Sequence, residues 1–231
     1  MDQFAEQVAG IGALVEPARR ALYLYVVAQP DAVSREQAAQ AVDLPVHSAK
    51  FHLDRLVDQG LLDVEYRRLS GRGGPGAGRP SKLYRRSSVE VTVSLPERRY
   101  DLAGEVLASA VERSMRSGVP VADAVRDVAG EQGRGIAAAR LEDEPGRPAG
   151  LEGLADVLGD HGYEPRTDGV EICLANCPFD RMAAQHVELV CGMNLALIDG
   201  VIDGLGLEGV EADLAPQLGF CCVRVRAGHP D

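Results

Sequence analysis

Residues 45–86 read PVHSAKFHLDRLVDQGLLDVEYRRLSGRGGPGAGRPSKLYRR, and this stretch decides the fold of the N-terminal half of the chain. Residues 45–59 place apolar side chains at helical spacing, and Gly60 follows in the position of a C-terminal glycine cap. Residues 61–69 and 81–86 alternate as the two strands of a hairpin. Five glycines and two prolines separate the strands and predict an exposed loop over residues 70–80.

This stretch is locally basic in an acidic protein. Residues 67–86 contain seven Arg or Lys and no Asp or Glu, whereas the 231-residue chain carries a formal charge of −11. Residues 1–100 hold 14 basic and 12 acidic side chains, and residues 101–231 hold 10 and 23. Because the acidity is concentrated in the second half, we expect only the first half to meet phosphate.

Three further helical patterns precede residues 45–86. Residues 3–15 are weakly amphipathic, Pro17 suits the first turn of a second helix, and Ser34 with Gln37 forms a capping box that opens a third. Helices joined by a short turn and followed by a β-hairpin predict a winged helix-turn-helix domain over residues 1–95.

A helix of this kind fits the major groove of double-stranded DNA, and a basic wing neutralises phosphates. We therefore predict a DNA partner, with a protein-interaction module as the alternative. The predicted DNA contacts lie on the helix and on the wing: His47, Ser48, Lys50, His52, Arg55, Arg67, Arg68, Arg72, Arg79 and Lys82. The sequence contains none of the common hydrolase, zinc-protease or nucleotide-binding motifs, so we expect no enzyme.

The rest of the chain is predicted to be mainly α, with an α+β domain at its C-terminal end. Two long helical patterns, over residues 97–116 and 121–140, predict a helical linker and dimerisation region at residues 96–145 of a homodimer. Residues 146–231 are predicted to form a small α+β sensor domain. Its expected elements are a helix over residues 151–162, a strand over 170–174, a helix over 181–204 and a strand over 219–226.

All five cysteines fall in this last domain: Cys173, Cys177, Cys191, Cys221 and Cys222. In a cytosolic protein such a cluster is more often related to metal or redox chemistry than to disulfides. The sequence has no CxxC pair of the kind that structural zinc sites supply. Spacing alone therefore leaves two interpretations open, a metal site or buried cysteines that act as small apolar side chains.

Two regions of the sequence resemble a known family. Residues 35–62 resemble the winged helix of ArsR/MarR-type repressors. The run HLDRLVDQGLLDVEYRR at residues 52–68, followed by GRPSKLYR, is similar to SufR-like regulators, as is NCPFDRMAAQHVELVCG at residues 176–192. The resemblance implies a redox-sensing transcriptional regulator, a repressor in type, with an iron–sulfur cluster held by C-terminal cysteines.

The resemblance also implies the ligands. They are Cys177, Cys191 and one of Cys221 and Cys222, because successive strand residues face opposite sides and only one of the pair can easily point into the site. Cys222 is slightly preferred, and both residues are kept as candidates. A fourth ligand is left open among His186, Asn194, a carboxylate, the other terminal cysteine and Cys173. Zinc, a small molecule or a bare thiol switch are the alternatives to the cluster.

The location of the protein is predicted from its N-terminus and its apolar runs. Residues 1–10 lack the features of a signal peptide, and no apolar run reaches transmembrane length. We therefore expect a cytoplasmic protein with no membrane partner.

Overall fold

The computed structural model describes residues 3–68, 80–144, 146 and 150–228. The chain divides into two compact units, Met1–Val93 and Ser94–Asp231. The first contains α1 (Gln3–Ala13), α2 (Pro17–Val27), β1 (Val33–Ser34), α3 (Arg35–Ala41), α4 (Val46–Asp58), β2 (Leu62–Arg67) and β3 (Ser81–Arg86). The second contains α5 (Tyr100–Ser117), α6 (Val121–Asp143), α7 (Leu151–Gly159), β4 (Pro165–Thr167), β5 (Glu171–Leu174), α8 (Asp180–Ala183), α9 (Val187–Gly204), β6 (Val210–Leu214) and β7 (Val223–Ala227).

The first unit is a helix-turn-helix followed by a β-hairpin. β2 and β3 pair antiparallel from Leu62↔Arg86 to Arg67↔Ser81, and β1 adds a short third strand against β3. The core packs α2, α3 and α4 against the hairpin through fully buried side chains such as Leu22, Leu53 and Tyr84. This packing fixes α4 and the wing relative to each other.

Local sequence signals set the ends of these helices. Ser34 accepts a hydrogen bond from the Gln37 amide while the Gln37 side chain accepts one from the Ser34 amide, so the predicted capping box is present. Gly60 adopts a left-handed φ of 69° just after α4, as expected of a glycine at a helix end. Glu16 caps α2, in which Pro17 occupies the first turn.

In the second unit α7 and α9 pack against one antiparallel sheet, α6 packs against α9, and α5 packs against α6. The strand order is β4-β5-β7-β6, so the two central strands are β5 and β7. One continuous core joins these helices and the sheet. None of the helices that the structure describes is both long enough and apolar enough to cross a membrane.

Helices α6 and α9 cross at very short range because glycines meet at the crossing. A Cβ added to Gly133 would lie 2.1 Å from the Leu197 carbonyl oxygen, and one added to Gly200 would lie 2.2 Å from the Gly130 carbonyl oxygen. No larger side chain fits at either position without moving a helix. The crossing fixes α9, which carries Cys191, against the middle of α6.

The division of the chain differs from the prediction. Residues 96–145 were expected to form a separate linker, but α5 and α6 contribute buried side chains such as Val106 and Val128 to the same core as the sheet. The physical reason is that both helices carry an apolar face, which the rest of the unit covers. A division into two units therefore replaces the predicted division into three domains.

Several elements also differ in detail. The helix predicted over residues 181–204 is interrupted at His186, whose φ of −137° and ψ of 56° are not helical. The strand predicted over residues 219–226 begins only at Val223, and β6 was not predicted. Residues 88–95, a β-prone stretch by sequence, do not form a strand.

Candidate functional site

Helix α4 presents a polar face that no other described element of its unit covers. Ala49, Leu53 and Leu56 point into the core, so the opposite side exposes His47, Lys50, Phe51 and Arg55. Phe51 is 64% exposed. An exposed aromatic between basic side chains can contact a thymine methyl while its neighbours reach base edges or phosphates.

Asp54 joins this helix to the wing. Its Oδ1 accepts hydrogen bonds from Lys82 Nζ at 2.5 Å and from Tyr84 Oη at 2.8 Å, and its Oδ2 pairs with Lys50 Nζ at 2.8 Å. Lys82 also lies over the Tyr84 ring. Lys82 was predicted as a phosphate contact, and its half-buried ammonium is paired with Asp54. This ion pair joins β3 to α4.

The pKa of Asp54 reflects this network. Partial burial raises the pKa, but the hydrogen bonds from Lys50, Lys82 and Tyr84 outweigh burial and lower it to about 2. The pKa of Tyr84 is raised by burial and by its bond to the Asp54 carboxylate. Asp54 is therefore a carboxylate, and Tyr84 a neutral donor, throughout the physiological pH range.

Two of the predicted DNA contacts lie on the flank of α4 that turns towards α2. His52 Nδ1 is 3.6 Å from Glu16 Oε2, and the His52 side chain is only 17% exposed. Ser48 is also half-buried. Helical geometry explains the difference, because residues 48 and 52 share a stripe at the edge of the core. His47, Lys50 and Arg55 are exposed on the open face of α4, whereas the His52 side chain is mostly sheltered.

The base of the wing is exposed and basic. Arg67 and Arg68 at the end of β2 are both exposed. Arg67 Nε lies 3.6 Å from Glu65 Oε1, which makes a weak ion pair at the surface. Arg72 and Arg79, predicted at the tip of the wing, lie outside the described residues. The described part of the wing is consistent with a phosphate-facing hairpin.

The second candidate site is a cluster of four cysteines, Cys177, Cys191, Cys221 and Cys222, which we call the thiol cluster. Cys177 follows β5, and Cys221 and Cys222 precede β7. Because β5 and β7 are antiparallel neighbours, the end of one and the start of the other meet at the same edge of the sheet. A hydrogen bond of 2.8 Å from the Cys221 amide to the Leu174 carbonyl closes this edge.

The four thiols interact with one another. All four are free thiols. Cys221 is close enough to Cys177 and Cys222 for the three thiols to shift one another's pKa, and Cys222 is likewise close to Cys191. The pKa of Cys221 is lowered by hydrogen bonding from its neighbours, whereas the pKa values of Cys177 and Cys222 are raised, first by hydrogen bonding to Cys221 and then by burial. Of these three thiols, Cys221 is the one whose pKa is shifted towards the thiolate form.

A buried polar pair supports this thiolate. Asn194 on α9 is 1% exposed, and its Nδ2 donates a hydrogen bond of 3.2 Å to Cys221 Sγ. Its Oδ1 accepts a hydrogen bond of 2.5 Å from Tyr163 Oη. The Tyr163 hydroxyl fixes which way the amide points, so the amide N–H faces the sulfur. Asn194, weighed from the sequence as a ligand, is instead a donor to a cysteine sulfur.

Other predicted ligands lie apart from the thiol cluster. His186 is exposed at the start of α9. Cys173 is half-buried on β5, between the inward-facing Ile172 and Leu174, so its side chain points to the other face of the sheet. The preference for Cys222 alone assumed that the pair lies in a strand. Both residues precede β7, so alternation does not apply and both thiols join the cluster.

The thiols are not arranged around a common centre. In the described parts of the chain, no group of three or more His, Cys, Asp or Glu side chains could hold a metal ion as it stands. Cysteine thiolates are nevertheless the ligands that such metal sites use, and an amide donor, that of Asn194, already faces the Cys221 sulfur.

The sequence contained one usable signal for the role of Asn194. It stands in the otherwise apolar run of residues 189–198, and a polar side chain in such a place is expected to have a specific partner. The roles of Asp54 and Tyr163 depend on contacts with residues 28 to 31 positions away, and no local pattern indicates them.

Comparison with known proteins identifies a segment of the chain. A family model described as a helix-turn-helix domain matches residues 14–65, which span α2, α3, α4 and most of β2. No curated protein and no solved structure matches the chain. The N-terminal unit therefore contains a helix-turn-helix domain, of the kind that DNA-binding transcriptional regulators use.

Proposed function

We propose that this protein is a transcriptional regulator that binds double-stranded DNA through α4 and the wing, and whose thiol cluster holds an iron–sulfur cluster. In this proposal DNA binding responds to the redox or iron–sulfur status of the cell. The observation that carries the proposal is the meeting of Cys177, Cys191, Cys221 and Cys222, which come from three separate segments of the second unit.

The chemistry of these residues fits such a group. Thiolates are the usual ligands of iron–sulfur clusters, and hydrogen bonds to the sulfurs tune the reduction potential. Asn194 supplies one such bond to Cys221. Binding requires that the remaining thiols lose their protons and rotate about their Cα–Cβ bonds towards a common centre. When bound, an iron–sulfur cluster would supply one-electron redox chemistry.

Zinc is the second candidate, because four thiolates suit zinc equally well. The sulfurs alone do not distinguish the two. Purification under anaerobic conditions, with analysis of iron, sulfide and zinc, does distinguish them. We expect brown protein with iron and sulfide, whereas colourless protein with one zinc per chain would establish the alternative. Protein free of all three would contradict both.

Single substitutions test which cysteines serve as ligands. Cys191→Ser is expected to abolish retention of the cofactor, because it removes the thiol that α9 contributes. Cys173→Ser is the matched control, since Cys173 lies on β5 but faces away from the thiol cluster, and it should retain the cofactor fully. Equal retention in the two variants would remove Cys191 from the ligand set.

The DNA-binding surface is tested by a second pair of variants. Arg55→Ala should weaken binding to most sequences and reduce the slope of log affinity against log salt concentration by about 1, as for loss of one phosphate contact. Arg20→Ala removes the same charge from an exposed position on α2, outside the pair of helices α3 and α4, and should leave the slope unchanged. Identical slopes for both variants would exclude Arg55 from the interface.

We also propose a homodimer, with α5 at the interface. Val111 and Met115 lie one turn apart on α5 and are 45% and 81% exposed. A repressor with two recognition helices would bind two half-sites about one helical turn apart. Analytical ultracentrifugation of the wild type and of Met115→Glu tests this, and a monomeric wild type would contradict it.

A further inference from the structure

The segment that leaves the first unit is bound to the loop that carries Cys177. Residues 94–99 follow the first unit directly and lead into α5. We call them the connector. Three consecutive residues of the connector, Glu97, Arg98 and Arg99, each make a hydrogen bond to residues 176–178. The connector therefore lies against the loop that carries Cys177 before the chain enters α5.

Arg98 makes the most specific of these contacts. Its Nη1 donates to Asn176 Oδ1 at 2.5 Å and to the Cys177 carbonyl oxygen at 3.2 Å. Its Nη2 lies 3.8 Å from Asp180 Oδ2 at the start of α8. The Arg98 side chain is 18% exposed, so the guanidinium is mostly sheltered from water. One side chain thus holds both the backbone of Cys177 and residues on either side of it.

Asn176 completes the attachment from the other side. It is 7% exposed, and its Nδ2 donates to the Glu97 carbonyl at 3.0 Å and to the Gly162 carbonyl at 2.6 Å. The Arg99 amide donates to the Pro178 carbonyl at 3.1 Å. Both hydrogen-bonding ends of the Asn176 amide are therefore used by the connector or by its neighbour Gly162, and the loop cannot shift independently of the connector.

We propose that Arg98 is a positioning residue that couples the state of the thiol cluster to DNA binding. This inference rests on the proposed function and specifies how it is regulated. Binding or loss of a cofactor changes the position and charge of the Cys177 sulfur, and so changes the backbone whose carbonyl Arg98 holds. The connector then changes its attachment, and it is the segment of chain that leads directly to the DNA-binding unit.

The coupling has a physical basis because the contacts are short, sheltered and few. A hydrogen bond from a guanidinium in partial burial is stronger than a surface contact, and a charged donor left without its acceptor is costly. In the proposed coupling, Arg98 is attached to the Cys177 carbonyl in one state of the thiol cluster, as in the structure, and is released from it in the other. A ligand that favours one of them shifts the population of both.

The test uses the full-length protein with its cofactor and after anaerobic removal of the cofactor. DNA affinity is measured in both states for wild type, Arg98→Ala and Arg99→Ala. Arg99→Ala is the charge-matched control, because the Arg99 side chain pairs with Asp101 and its backbone amide makes the contact with the Cys177 loop. Arg98→Lys retains the charge but not the forked geometry, and serves as the conservative variant.

We expect the two states of the wild type to differ in DNA affinity by a factor in the range typical of allosteric coupling, about 5- to 150-fold. Arg99→Ala should keep this factor. Arg98→Ala should reduce the ratio of affinities to below about 2-fold, although the variant keeps the wild-type content of iron and sulfide. Arg98→Lys should give a ratio between those of wild type and Arg98→Ala. Hydrogen exchange at residues 94–99 should differ between the two states in wild type and not in Arg98→Ala.

The outcomes separate the two proposals. A wild type whose DNA affinity is the same in both states would overturn the proposed function and the coupling with it. A wild type that responds, together with an Arg98→Ala variant that responds equally, would overturn the role of Arg98 alone. An Arg98→Ala variant that cannot retain the cofactor would show that Arg98 builds the site and does not transmit its state.

Discussion

Asn194 is a residue whose importance follows from burial and hydrogen bonding alone. Its amide is fully enclosed, with Tyr163 on one end and Cys221 on the other. A donor that faces a sulfur stabilises that sulfur as a thiolate, which is the form in which cysteine binds a metal. Asn194 therefore helps to determine which cysteine of the cluster carries the negative charge.

Asn194→Leu tests this role with a side chain of similar volume. The variant loses the bond to Cys221, so iron or zinc should leave the site for a chelator about 10-fold faster or more, as for other residues that support metal ligands. The rate of release is followed spectroscopically after addition of the chelator. Release at the wild-type rate would show that the amide does not support the site.

Tyr163→Phe is the control for this experiment. It removes the hydroxyl that orients Asn194 but leaves the amide in contact with Cys221. We expect a smaller increase in release rate than for Asn194→Leu. An effect as large as that of Asn194→Leu would mean that orientation of the amide, and not only its presence, is required.

Asp54 gives a prediction about pH. Its folded pKa of about 2 lies below the ordinary value of 3.8. The carboxylate therefore contributes stability that is complete above about pH 4 and is lost as the pH falls towards 2. Asp54→Asn should lower the free energy of unfolding by about 1 kcal/mol at neutral pH, because partial exposure screens the charge.

The measurement for Asp54 is chemical unfolding of wild type and variant at several pH values. The difference between them should shrink as the pH falls from about 4 to about 2. Asp58→Asn, a carboxylate at the end of the same helix, is the control and should change stability little at any pH. A constant difference for Asp54→Asn across this range would contradict the assigned pKa.

At the scale of elements, the crossing of α6 and α9 is the most demanding contact in the second unit. Gly133→Ala places a Cβ against the Leu197 carbonyl and should destabilise the protein by about 2 kcal/mol or more. Gly135→Ala on the same helix meets open space and should stabilise it by about 0.5–1 kcal/mol. Thermal unfolding of both variants is the measurement. If both substitutions changed the stability in the same direction, the result would contradict this packing.

The elements that the sequence predicted well are those with local signals. The capping box at Ser34, the glycine at residue 60 and the period of α4 each act within a few residues. The break at His186 and the strand β6 have no comparable signal, since they form where the sheet and α9 pack together. The boundary between linker and sensor was misplaced for a similar reason, because α6 packs against α9, which lies far along the chain.

The functional sites show the same limit. Helical geometry could have placed His52 beside the core, and His47, Lys50 and Arg55 on the open face. The ion pair of Lys82 with Asp54 could not be predicted from the sequence, because it depends on how β3 packs against α4. The four cysteines were predicted by resemblance. The meeting of Cys177 with Cys221 and Cys222 at one edge of the sheet follows from the pairing of β5 with β7, which the sequence does not state.

At the scale of the whole molecule, the two halves of the chain differ in charge. The first hundred residues are close to neutral and carry a basic wing, whereas residues 101–231 hold 10 basic and 23 acidic side chains. An acidic unit is repelled by DNA, so the helix-turn-helix unit alone is expected to make the contacts. The acidic unit carries the thiol cluster, which in the proposed function receives the signal.

The central claim is that the state of the thiol cluster controls DNA binding. The most direct measurement is the affinity of the full-length protein for the DNA upstream of its own gene, at one salt concentration, before and after anaerobic removal of the cofactor. We predict salt-dependent binding whose affinity differs at least about 5-fold between the two states. Equal affinity in both states, with the cofactor shown to be present in one and absent in the other, would contradict the claim.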